Sequence, residues 1–306
     1  MGAAVRSQKV PPGLKDTSLY SRLKNSCVHD LYWRVSNREF IDARRKQVDF
    51  YRDLLEGFQR GDLIFDIGAN VGEKTDVFVR LGARVVAVEP DEHNQEVLRG
   101  KFLRYRLRPK PVCIVGNAVS DKVSVETMWI DGPGSALNTL SRKWVDALRV
   151  DKDRFDRNVD ALEFAEKRTV ETTTIEHLTA QHGVPFFVKI DVEGHELSVL
   201  MGLRHPVPYL SFEVNLPEFK QEGLQCLGVL EALSPAGKFN YAADCSRGLL
   251  LEQWVDSQSL AHLITCSTER CIEVFWRSSS LSPGWASSPG GHGLKGADRR
   301  PLDEVK

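Results

Sequence analysis

Short apolar runs alternate with amphipathic stretches through the middle of this chain. Leu63–Ile67, Arg84–Glu89, Val112–Val119, Phe186–Asp191 and Tyr209–Val214 are runs of strand length. The segments between them carry apolar residues at helical spacing. They predict helices from Gly72 to about Leu81, from Glu92 to about Tyr105 and from Glu196 to Leu203. A helix near 223–234, a strand near 239–243 and a last strand, Cys271–Arg277, follow. Strands that are apolar along their length and separated by helices are buried on both faces. That pattern predicts an α/β fold with a doubly wound sheet.

Two further segments, 123–130 and 168–174, alternate at the two-residue period of strands and flank a polar insertion at about 141–167. GPGSALNTLS, at its leading edge, is a candidate cover for the site. Upstream, Phe40, Val48, Tyr51, Leu54, Leu55 and Phe58 recur at three- and four-residue steps, a helical segment that Gly61 ends. The expected organisation is an arm over 1–35, one domain over 36–277 and a disordered Ser/Pro/Gly-rich tail over 278–306.

Composition narrows the function classes. Of 306 residues, 42% are hydrophobic and 27% charged, as in ordinary globular proteins. No apolar run approaches the ~18 residues of a membrane span, and the first residues lack an apolar leader; no membrane association and a cytoplasmic location are expected. The 41 basic and 42 acidic residues leave no excess for phosphate neutralisation, so no nucleic-acid partner is expected. The six cysteines show no metal-ligand spacing and read as free thiols. Trp129, Trp144 and Trp254 read as packing residues, and His177 and His182 as surface residues bracketing a short helix.

Ligands of doubly wound sheets bind beyond the carboxyl ends of the strands, so the chemistry is sought there. DLIFDIGANVGEKT (62–75) passes from the first strand straight into a helix. Gly68 and Gly72 permit a tight turn, and the helix start offers free N–H groups. The dinucleotide fingerprint is absent, because Asn70 stands at its second glycine, and so is the phosphate-loop spacing. Asp66 before the turn suits an ammonium better than a pyrophosphate. Glu89, at the end of the second strand, suits two ribose hydroxyls, and Asn117, at the end of the third, an adenine edge. Ammonium, ribose and adenine together describe S-adenosylmethionine.

FDIGANVG, AVEPD, NAVSD, FVKIDVEGHELSVLMGL and LSFEVN together resemble the FkbM family of S-adenosylmethionine-dependent methyltransferases, over roughly residues 40–245. The resemblance implies a Rossmann-like class I methyltransferase sheet of seven strands with the last antiparallel. It also implies O-methylation of a hydroxyl, often on a sugar or another small molecule. The family's cofactor pattern falls on Asp66, Gly68, Asn70, Gly72 and Glu89; Asn117, Ser120 and Asp121 match it less tightly.

The most specific segment, Lys189-Ile-Asp191-Val-Glu193-Gly194-His195-Glu196, follows the fourth core strand. Alternate strand residues share a face, which brings Lys189, Asp191 and Glu193 together. Methyl transfer to a hydroxyl is helped by a base, and Asp191, Glu193 and His195 are the candidates, with Asp191 favoured because it ends the strand. Lys189 reads as the partner that keeps the carboxylates ionised, and Glu196 as a first-turn helix residue. No spacing calls for a metal. Two other readings remain: a nicotinamide-dependent oxidoreductase, in which Glu89 would hold the ribose, and a non-catalytic binder of S-adenosylmethionine.

Overall fold

In chain order the elements are α1 (Arg38–Leu54), β1 (Leu63–Ile67), α2 (Glu73–Leu81), β2 (Arg84–Val88), α3 (Glu92–Lys101), β3 (Val112–Val115), β4 (Ala118–Val119), β5 (Val125–Ile130), α4 (Arg142–Val150), β6 (Glu166–Thr173), α5 (Ile175–His182), β7 (Phe187–Ile190), α6 (Glu196–Met201), β8 (Tyr209–Asn215), α7 (Lys220–Leu233), β9 (Lys238–Ala242), α8 (Ser257–Cys266) and β10 (Cys271–Arg277). They come from a computed structural model that describes residues 38–103, 111–151, 162 and 164–279. The expected arm over 1–35 and all but two residues of the expected tail lie outside the described residues. Ser278 and Ser279 remain tied to the core, through bonds to the Pro208 carbonyl and to Ser234.

The principal sheet has seven strands in the order β3-β2-β1-β7-β8-β10-β9. β3, β2, β1, β7 and β8 run parallel. β10 inserts antiparallel between β8 and β9. This is the doubly wound, Rossmann-like arrangement with an antiparallel last strand.

Residue parity decides which helices cover which face. Ile64, Val85 and Phe187 pack with Tyr51 of α1 and with Val77 and Phe78 of α2. Phe65, Val86, Val188 and Leu210 point the other way, into a larger core with Ile175, Leu200, Leu230 and Leu260 from α5 to α8. Because both faces are covered, the strands are apolar along their length, which is why they were legible.

Four expectations change. The upstream helix, α1, ends at Leu54, well before Gly61. The run Val112–Val119 is two strands rather than one: Gly116 and Asn117 break it, and β4 leaves to join β6 in a second sheet ordered β4-β6-β5. The third helix ends at Lys101, where the buried Phe102 takes the C-cap position. The insertion is not plain loop, for it contains α4, capped by Ser141 and packed through Trp144, Val145 and Leu148 against Phe164 and Phe219. Helix α8 had no counterpart in the sequence reading; Asp256 caps it by accepting from the Ser259 N–H at 2.8 Å.

Leu210 lies fully buried in β8. Leu210→Ala should cost about 2–5 kcal/mol, the range for emptying a leucine site in a packed core. Chemical denaturation measures it, and a loss well under 1 kcal/mol would contradict the packing described.

Candidate functional site

β1 carries Asp66 to the carboxyl edge of the sheet, where it is sealed from solvent. Thr75 Oγ1, from α2, donates to Asp66 Oδ2 at 2.5 Å, while Oδ1 has no protein partner. Burial pushes the Asp66 carboxyl up, against the opposing pull of Lys189 and Thr75. The chain then turns at Gly68, with φ +78°. A Cβ there would stand 1.7 Å from the Asp191 carbonyl oxygen, so only glycine lets this loop lie on the end of β7. The Gly68 and Ala69 N–H groups both donate to the Val88 carbonyl, which joins the loop to β2.

Asn70 is left-handed, φ 48°, and its N–H donates to Glu89 Oε2 at 2.7 Å. Glu89 Oε1 accepts from the Asp91 N–H at 2.9 Å, and the Asn94 side chain also donates to this carboxylate. Burial raises the Glu89 carboxyl to about 7 despite these bonds. Asn70 Oδ1 and Asn94 Oδ1 are buried acceptors without a protein partner.

The loop after β7 brings the second group. Lys189, almost wholly buried, donates to Asp191 Oδ2 at 2.7 Å; the Asp191 side chain keeps 36% of its surface open. Burial alone would lift the Asp191 carboxyl, but Lys189 and a hydrogen bond from Glu213 hold it below its usual range. Burial likewise pulls the Lys189 ammonium down, and Asp191 and Asp66 more than reverse that.

Glu193 is left-handed too, φ 53°, and burial and Asp191 push its carboxyl well up. The nearby Trp144 indole opposes that rise only weakly, and the Glu193 carbonyl accepts from Thr139 Oγ1 at 2.7 Å. Oxygens of Asp191, Glu193 and Glu213 approach within 4.8 Å of one another. That spacing would admit a cation, and the Lys189 ammonium already lies against Asp191 on the same group. Glu196 closes the turn instead of lining the site: its Oε1 accepts from the Val192 and Gly194 N–H groups, and burial raises it to about 7.

One cavity gathers most of the residues singled out from the sequence. Gly68, Asn70, Glu89 and Asn117 line it from the β1–β3 ends, and Asp191, Glu193 and His195 from the loop after β7. Ser120, Asp121, Lys189 and Glu196 are not in its wall, and two of the candidate cofactor residues do not reach it either. Asp66 lies behind the loop, and Gly72 packs against α3, where a Cβ would meet Leu98 Cδ2 at 2.5 Å.

The sequence reading missed Asn94, whereas the segment it offered as a candidate cover, GPGSALNTLS, forms part of the cavity wall through Ser135, Asn138 and Thr139. Asn94 lies three residues past its N-cap, Asp91, which was its only local signal. None of the three tryptophans lines the cavity. Trp129 is stacked by Arg142 and Lys167, and Trp254 by Arg277.

Lys189→Met should destabilise the fold by about 3–5 kcal/mol at neutral pH, because Asp66 and Asp191 would stay buried without their countercharge. Such carboxylates have folded-state pKa values above their unfolded ones, so the deficit is full at high pH and shrinks as pH falls through the raised values. Denaturation of both proteins at about pH 5 and about pH 8 checks this. Equal deficits would reduce Lys189 to a packing role.

The family model for the methyltransferase FkbM domain matches residues 66–238, more than half of the chain. No curated protein matches at a significant level. Among solved structures, the chain is similar to the C-terminal domain of precorrin-6Y C5,15-methyltransferase from Rhodobacter capsulatus (14% identity, 73% of this chain and 84% of that one, TM-score 0.36). It is also similar to a TehB-like SAM-dependent methyltransferase from Corynebacterium glutamicum (9% identity, 76% and 87%, TM-score 0.36). A third is the plantazolicin methyltransferase BpumL in complex with a triazolic desmethylPZN analog and SAH (8% identity, 85% and 93%, TM-score 0.36). The matched segment begins at Asp66 and takes in every residue named above in the cavity wall, so the chain belongs to the FkbM methyltransferase family.

Proposed function

We propose that the protein binds S-adenosylmethionine in this cavity and methylates a hydroxyl of a small molecule or sugar. One observation carries the cofactor reading. The β1–β2 side of the cavity offers acceptors in want of donors: Asn70 Oδ1 and Asn94 Oδ1 without partners, beside the Glu89 carboxylate. Two ribose hydroxyls and an adenine amino group are such donors. Glu89 would hold the ribose, Asn117 the adenine edge, and the Gly68 loop would face the amino-acid end, with Asp66 behind it. A nicotinamide dinucleotide fits less well, since its pyrophosphate is an acceptor itself and this loop already spends the Gly68, Ala69 and Asn70 N–H groups on protein oxygens.

When bound, the cofactor supplies an activated methyl group on a sulfonium. The chain's own part is to align the acceptor oxygen and take its proton. Asp191 is poorly suited to that, because Lys189 and Glu213 lower its basicity. Glu193 stays protonated to higher pH. His195 is held neutral by burial, against the smaller opposing pull of Glu126 and Asp121, and takes precedence over the favoured carboxylate. The non-catalytic reading leaves unexplained why a neutral imidazole and an ion-paired carboxylate share this wall.

Two measurements test the proposal. Glu89→Ala should weaken S-adenosylhomocysteine binding by about 1.5–3 kcal/mol in calorimetry, the range for hydrogen bonds to a charged group. Since Glu89 titrates near 7 and the ionised form is the better ribose acceptor, wild-type affinity should fall as pH drops through about 7 and Glu89→Gln should flatten that dependence. Unchanged affinity in both variants would remove Glu89 from the site. Second, incubation with S-adenosylmethionine and a panel of hydroxylated small molecules and sugars should release S-adenosylhomocysteine with at least one acceptor. His195→Ala should then lower the single-turnover rate by about 10²–10⁴-fold. Transfer only to amines or thiols would overturn the hydroxyl assignment.

A further inference from the structure

His195, at the N-cap of α6, touches a group of residues outside the cavity wall. Its Nε2 lies 3.1 Å from Ser120 Oγ and 3.9 Å from Glu126 Oε2. Ser120 Oγ also donates to Asp121 Oδ1 at 3.3 Å. Ser120 follows β4 directly and is buried. Its N–H donates to the Thr173 carbonyl at 2.9 Å, and its own carbonyl lies where a Cβ on Gly202 would be, 2.6 Å away. Gly202, the C-cap of α6, therefore lets the 118–121 segment press against the helix whose first turn begins at His195.

The direction of each hydrogen bond follows from the chemistry of its ends. A carboxylate only accepts, so the Ser120 hydroxyl proton goes to Asp121. The Ser120 oxygen is then left with lone pairs for His195, which makes His195 Nε2 the donor. Glu126, the other group near Nε2, is also a pure acceptor and favours a hydrogen on the same nitrogen. The tautomer of a histidine is set by the bond that one ring nitrogen makes. Here both neighbours of Nε2 favour Nε2–H. Among the described residues no protein group bonds Nδ1, and His195 belongs to the cavity wall.

We propose that Asp121, Ser120 and Glu126 are positioning residues that fix His195 as its Nε2–H tautomer, leaving the Nδ1 lone pair to take the proton of the methyl acceptor. The proposal rests on the hydroxyl-methylation reading given above. In the step it describes, an acceptor oxygen pair forms the new bond to the methyl carbon and the carbon–sulfur pair returns to sulfur. The hydroxyl proton moves to Nδ1, giving an imidazolium with hydrogens on both nitrogens. Asp121 and Glu126 are the charged groups bearing on the ring, and both stabilise that product. The geometry divides the labour around the cavity: Lys189 occupies Asp191, and the second sheet prepares His195.

The test is imidazole nitrogen NMR on the full chain labelled with ¹⁵N-histidine, the His195 signals being identified by their loss in His195→Gln. Neutral wild-type His195 should be essentially all Nε2–H. Ser120→Ala should raise the Nδ1–H to Nε2–H ratio about fivefold, the factor that one ordinary hydrogen bond is worth. Ser120→Thr, which keeps the hydroxyl, should restore the wild-type ratio. Glu126→Gln, at a partly exposed site, should move the ratio the same way as Ser120→Ala if the buried serine does not tolerate change. Adding S-adenosylhomocysteine should shift the Nδ1 resonance more than the Nε2 resonance. An Nδ1–H wild type, identical spectra for wild type, Ser120→Ala and Glu126→Gln, or an Nδ1 signal indifferent to the ligand would each overturn the proposal. Calorimetry on the same samples separates the two readings: a wild type that does not bind S-adenosylhomocysteine defeats the cofactor assignment while the tautomer ratios still stand or fall by themselves.

Discussion

A buried ammonium holds the carboxyl edge of this sheet together. Lys189 sits opposite Asp66 of β1 and Ser211 of β8 in the strand register, almost without solvent, and pairs directly with Asp191. Burying a lone lysine or a lone aspartate costs several kcal/mol, and neither would stay ionised alone. Their mutual arrangement removes that penalty and obliges β1 and β7 to end at the same height. The polar residues continue on the same face: Ser211 donates to Glu273 of β10, which also accepts from the Cys245 thiol. Parity places this seam under α1 and α2, where the buried Tyr51 hydroxyl lies beside it.

The glycine loop depends on that alignment. Gly68 lies so close to the Asp191 carbonyl that the turn after β1 and the turn after β7 form one surface. The covering segment is then fastened to both. Asn138 donates to Asp91, the cap of α3. Thr139 Oγ1 donates to the Glu193 carbonyl, and the Trp144 indole lies near its carboxylate. The strained backbone at Glu193 persists because several partners over-determine it, as is common where a binding wall is built. The insertion is thus a packed wall of the cavity, anchored by Leu137, Trp144 and Leu148.

Electrostatics sorts the acidic groups into separate duties. Glu89 is poised near neutrality by burial, and Glu196 is committed to closing its turn. Asp191 is tied to Lys189 and Glu213, whose raised carboxyl also accepts from the Cys271 thiol. A set of carboxylates that sequence spacing leaves equivalent becomes unequal once each meets its neighbours.

The chain by itself determined the five parallel strands, because burial on both faces writes continuous apolar runs, and it marked Gly68, Glu89 and Asp191, which line the cavity, because tight turns and strand-end carboxylates leave local marks. It also carried the antiparallel last strand, through a family pattern rather than through any local signal. Only the tertiary structure decided that Val112–Val119 divides between two sheets, since that follows from what β6 offers β4. The wall of Ser135, Asn138 and Thr139, the shielding of Asp66 behind its loop, and the meeting of Ser120 with His195, 75 positions away, were likewise decided there. The physical reason is common to all of them. Periodicity records which face of an element is buried, whereas hydrogen-bond direction, charge pairing and access to the cavity depend on neighbours that folding alone brings near.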